Sequence, residues 1–144
     1  MSYQAVEVAK YIVTYSNQQN KPVSNLKLQK ILYFTWIDFF KTTNRRLFED
    51  AICAWNFGPV IPAVYRKFCI YAGESITREY HAEIAPEDTD ILNGIIDPYL
   101  DFSASELVNK SHEEGSAWDQ VFRNGEGKQA VIPFPLIEEL ECDS

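Results

Sequence analysis

The sequence predicts a mainly α fold: a compact, single-domain helical bundle around a central buried helix at about residues 25–42, with one short β-hairpin or strand pair. Three observations lead there. Leu26, Leu28, Ile31, Leu32, Tyr33, Phe34, Trp36, Ile37, Phe39 and Phe40 cover nearly every face of one helix, as in a helix with neighbours on several sides. Two segments open with a serine followed three residues later by an acid, Ser103 to Glu106 and Ser116 to Asp119, the pattern that starts helices. The 144 residues, 46% hydrophobic and 24% charged, suit one globular unit spanning 1–144 with a real core.

The elements follow in order. Ala5, Val8, Ala9, Ile12 and Val13 recur at helical spacing and predict a first helix over 4–19. Asn17 to Pro22 is a polar break, and Ser24 caps the central helix. Residues 51–57 read as a short extended segment before Gly58-Pro59. Pro62 suits the first turn of a helix to about Tyr71, with Ala63, Val64 and Phe68 inward and Gly73 as the stop. Residues 74–86 alternate weakly, as a short strand or an extended loop. Pro86-Glu87-Asp88 opens a further helix, its acids set against the positive end of the dipole, and Pro98 kinks or ends it. Short helices at about 104–112 and 117–123, a polar turn at 123–129 and a last helix at 134–141 complete the chain.

Charge and cysteine usage narrow the function. Residues 1–70 hold nine Lys/Arg and four Asp/Glu, a balance of +5, whereas residues 71–144 hold four and seventeen, a balance of −13. The net −8 argues against general nucleic-acid binding, where cations must neutralise phosphates. The acidic half is either a solvated surface or a complement to a basic partner. Three cysteines, an odd number with no CxxC pair, point to a reducing cytoplasm rather than a disulfide framework. Cys53 and Cys69 are expected in apolar, unreactive surroundings. No signal peptide opens the chain, and the most apolar run, Ile31 to Phe40, is too short to span a bilayer and holds Asp38. No phosphate loop, dinucleotide fingerprint or nucleophile elbow is present, so no cofactor is expected.

Three ordered segments resemble one family. They are Ser24-Asn-Leu-Lys-Leu-Gln-Lys-Ile-Leu-Tyr-Phe34; Leu47-Phe-Glu-Asp50 with Ala54-Trp-Asn-Phe-Gly-Pro-Val-Ile-Pro-Ala-Val-Tyr65; and Leu107-Val-Asn-Lys-Ser-His-Glu-Glu-Gly-Ser-Ala-Trp118. Together they are similar to the Panacea, or SocA-like, antitoxin domain, which is often encoded by phages and mobile elements beside a toxin gene. The resemblance implies a compact helical domain that binds a cognate toxin from an adjacent gene and is not an enzyme. It also raises delivery of the toxin to a cellular protease, the role of one family member. Residues 74–101 carry no motif of the family.

The motif residues form the candidate partner-binding set: Gln29, Lys30, Trp55, Gly58, Pro59, Val60, Tyr65, His112, Glu113 and Trp118. Each also has a structural reading. Gln29 and Lys30 suit a solvated edge or a cap on a nearby loop. The Trp55–Tyr65 motif suits a packed corner, with Gly58 in a conformation closed to other residues and Pro59 stiffening the turn. His112 suits a helix end. Two other functions compete. An enzyme would use His112 and Glu113 as an acid–base pair, yet no nucleophile accompanies them and no HExxH spacing supplies a metal site. A DNA-binding autoregulator would need Lys27, Lys30, Lys41, Arg45, Arg46, Arg66 and Lys67 on one face.

Overall fold

A computed structural model describes residues 2–143, arranged as seven α-helices and a two-stranded antiparallel sheet. α1 (Ala5–Gln18) and α2 (Asn25–Thr43) begin the chain. The Ser24 side chain accepts from the Lys27 amide, and Asn44 ends α2 in the left-handed conformation with its N–H on the Phe40 carbonyl. Twelve of the nineteen α2 residues are buried, so this helix is the centre against which the others pack. α1, α3 (Pro62–Phe68), α4 (Pro86–Leu100), α5 (Ala104–Ser111) and the C-terminal turn all contact it. Burying each large apolar side chain there contributes about 1.5–3 kcal/mol before chain entropy is set against it. Trp36 stacks between Phe40 and Phe134, and its Nε1 donates to the Phe48 carbonyl at 2.9 Å.

The extended segment at 51–57 becomes half of a hairpin. β1 (Cys53–Trp55) pairs with β2 (Gly58–Val60), with Asn56 and Phe57 as the two-residue loop. Residues 129–132 lie along the other side of β1, through Gln129 N to Ala54 O and Ile132 N to Ile52 O. Pro59 therefore sits inside β2 rather than in the turn. A proline suits this edge because it presents no N–H to the flanking helix.

Three other expectations need adjustment, and the open choice at 74–86 falls to the loop, because α1 side chains satisfy the backbone of residues 74–85. Thr14 Oγ1 bonds both the N–H and the C=O of Tyr80, Asn17 donates to Arg78 O, and Glu7 accepts from Glu83 N. The positive φ after α3 and its short 3-10 extension falls on Ala72 (+52°), not Gly73, and Ala63 is only half-buried. Cys69 is exposed, whereas Cys53 is buried. The last helix is four residues of α7 (Phe134–Ile137) continued by a wider π-type turn, Glu138–Cys142. Both serine caps form. Ser103 and Glu106 exchange both bonds, whereas at α6 (Ala117–Phe122) the Asp119 carboxylate reaches Gly115 N in place of the cap amide. Pro98 sits in the last turn of α4, which ends two residues later.

Two glycines test the packing in opposite directions. Gly58 has φ +104°, and an added Cβ would lie 2.6 Å from Ser111 Oγ and 3.0 Å from Lys30 Cε. Gly94 lies on the exposed side of α4 with nothing within 4 Å. Denaturant unfolding should show Gly58→Ala destabilised by about 1–3 kcal/mol. Gly94→Ala should be stabilised by about 0.5–1 kcal/mol.

Candidate functional site

Two adjacent residues of α2 hold the hairpin from below. Gln29 is 1% exposed: its Oε1 accepts from Ile61 N at 2.9 Å and its Nε2 donates to Asn25 Oδ1 at 2.9 Å. Lys30 is fully buried, and its Nζ donates to the Pro59 carbonyl at 2.8 Å. No carboxylate pairs with it among the described residues, and burial pushes its amine down to about 7. The hairpin is also held through α6, where Trp118 Nε1 donates to the Trp55 carbonyl at 2.8 Å. His112 stacks on the Trp118 ring with centroids 3.8 Å apart. Its Nε2 is buried without a partner, and burial, with the nearby Lys30 charge, lowers the imidazole below its ordinary value. Gln29 and Lys30 are thus no solvated edge: they cap the hairpin backbone from inside, and Gln29 also reaches the groove lining.

On the outer side of this braced hairpin lies a groove of about 580 Å³. The start of α2, the hairpin, α3 and residues 128–129 form its walls. Trp55, Val60 and Tyr65 line it, the Trp55 and Tyr65 rings meeting at 5.1 Å. Tyr65 is 39% exposed, Leu26 39% and Phe57 66%, so the mouth is apolar and open. The rim at Lys128 and Gln129 depends on Gly127, where any Cβ would stand 1.7 Å from the Val121 carbonyl oxygen.

Of the ten candidate residues, the groove gathers Gln29, Trp55, Val60 and Tyr65 at its lining. Lys30, Gly58, Pro59, His112 and Trp118 stand behind the wall and fix it. Glu113 is not part of the assembly: it is exposed on a separate hollow of about 110 Å³ with Asp38 and Lys41. His112 lines neither space, so the proposed acid–base pair faces no common cavity. Nor do the seven cations form a free face. Lys30 is buried, Lys27 donates to Leu100 O, Arg45 pairs with Asp88 and Arg46 with Glu138. Among the described residues no His/Cys/Asp/Glu cluster could hold a metal, and no helix is long and apolar enough to cross a membrane. Sequence reasoning left Leu26, Phe57, Cys69, Lys128 and Gln129 out of the candidate set. For Phe57 the signal was present, an aromatic residue in a two-residue hairpin loop.

Residues 28–119 match the family described as Antitoxin SocA-like, Panacea domain. The chain belongs to this family. All ten candidate residues fall inside the matched span of the SocA-like domain. Antitoxin SocA of Caulobacter vibrioides (strain NA1000 / CB15N) is 37% identical over 155 aligned residues, covering 99% of this chain and 82% of that protein. No solved structure matches significantly.

The buried amine gives this SocA-like fold a pH signature. Lys30 in the folded chain sits near 7, below its ordinary 10.5, so the unfolded chain binds a proton that the folded chain releases between those values. Stability must therefore rise with pH across that window and lose this contribution as pH falls towards 7. His112, lowered from 6.5, adds the same sign below its ordinary value. Between pH 7 and about 8.5, before the raised cysteine and tyrosine groups act oppositely, unfolding free energy should climb by on the order of 1–2 kcal/mol. Lys30→Met should flatten that slope in denaturant titrations.

Proposed function

We propose that this protein is an antitoxin that neutralises a cognate toxin by binding it directly, with the groove as its contact surface. The family gives the antitoxin role its footing. The observation that carries the contact surface is the exposed apolar set around the groove. Leu26, Phe57 and Tyr65 surround a concavity, and Ile70, 83% exposed, follows Cys69 at its edge. Large apolar side chains exposed together around a hollow mark protein contact sites, and aromatic anchors supply most of the affinity there. Delivery of the bound toxin to a cellular protease would require a second surface, free while the groove is filled.

Growth assays with the neighbouring gene product test this. The wild-type chain should restore growth and co-purify with that product. Phe57→Ser combined with Tyr65→Ala should lose protection and weaken the complex by about 100-fold or more, since two anchors are removed. Protection by the double variant at wild-type level would reject the groove. The enzymatic alternative is tested by His112→Phe with Glu113→Gln, which keeps the stack on Trp118 and removes both titratable groups. Binding alone predicts full protection by that variant, and catalysis predicts none.

A further inference from the structure

We infer that the groove receives an extended, acidic peptide segment rather than a folded face, and that the segment belongs to the toxin; the latter step rests on the proposed contact surface. The first argument is shape. A hollow of about 580 Å³ is concave enough to take a few side chains of a protruding segment. A folded surface presenting a flat face would leave it unfilled.

The second argument is hydrogen bonding. Asn56 and Gln129 both stand on the lining, on neighbouring extended segments, and neither side-chain amide makes a hydrogen bond among the described residues. Each offers two donors and an acceptor. A peptide in extended conformation leaves its own N–H and C=O groups unpaired and needs both kinds of partner. Amides at the lining of an apolar groove supply them without fixing the peptide's sequence.

The third argument is charge. Lys128 is a cation on the lining, no Asp or Glu lines it, and Arg66 is exposed on α3 beside Tyr65. The chain as a whole carries −8. The groove thus carries local positive charge on a chain whose net charge is negative, which favours an acidic segment at this site. Leu26, Phe57 and Tyr65 ask for a leucine or aromatic residue beside the carboxylate.

The test is selection of short random peptides displayed on phage against the folded full chain, followed by fluorescence-polarisation binding of the enriched peptides. Peptides pairing Asp or Glu with Leu or an aromatic residue should be enriched. Tyr65→Ala and Lys128→Glu should each weaken their binding by about tenfold or more. Selection on Lys128→Glu should turn towards basic peptides, a change that general unfolding would not produce, and circular dichroism checks the fold of each variant. No enrichment, enrichment of basic peptides by the wild-type chain, or binding indifferent to both substitutions would overturn the inference. The outcomes separate from those of the growth assay. Lost protection by the Phe57/Tyr65 variant without peptide binding means that the toxin docks a folded face. Peptide binding with protection unchanged rejects the toxin as the segment's owner.

Discussion

The bond from the buried Lys30 amine to the Pro59 carbonyl ties the central helix to the hairpin, and the groove exists because of it. A lysine with no exposure and no counter-ion is costly, so the surroundings are arranged to lower its charge and use its N–H. Gly58 must lack a side chain to let the Lys30 stem and Ser111 close in. Pro59 leaves its carbonyl as the polar group that β2 offers at this point of the edge. Gln29 then takes the next free group, the Ile61 amide, and Trp118 takes the Trp55 carbonyl. The hairpin is too short to stand alone in water; side chains from two helices and the backbone of residues 129–132 hold it.

This arrangement divides the motif residues between two jobs. Lys30, Gly58, Pro59 and Trp118 face inward and hold the wall, while Tyr65 and Trp55 face the groove with Phe57 at its mouth. A rigid frame with exposed aromatic anchors keeps the entropy cost of binding low, because little is left to order when a partner arrives. No acid lines the groove, and seven of the seventeen acids of residues 71–144 lie on α4 and the C-terminal turn. Three of these seven engage tyrosines and arginines: Asp88 with Tyr3 and Arg45, Asp97 with Tyr15, Glu138 with Arg46.

Periodicity and capping rules sufficed for the helices because those signals are local. The apolar positions of α1, the all-round apolar face of α2 and the serine caps at Ser24, Ser103 and Ser116 each report on neighbours within a turn. The hairpin was half visible, since Gly58 marked the special backbone but nothing local paired β1 with β2. Residues 74–85 left strand and loop both open because their backbone partners are side chains of α1, more than sixty residues earlier in the chain. Lys30 and Gln29 left a solvated edge and a cap on a nearby loop both open for a related reason: the carbonyl and amide that they cap lie some thirty residues on. The groove residues Lys128 and Gln129 reach the site through the pairing of 129–132 with β1 and the Gly127 close approach, which carries no sequence signal beyond a glycine in a polar turn.

Hydrogen–deuterium exchange of the chain alone and in complex with the neighbouring gene product tests the central claim most directly. The account predicts that slowed exchange on binding concentrates at the Asn56–Phe57 loop, at the end of α3 through Gly73, and at Lys128–Gln129. Slowed exchange confined to the acidic face of α4 and the C-terminal turn, with the groove segments unchanged, would contradict it.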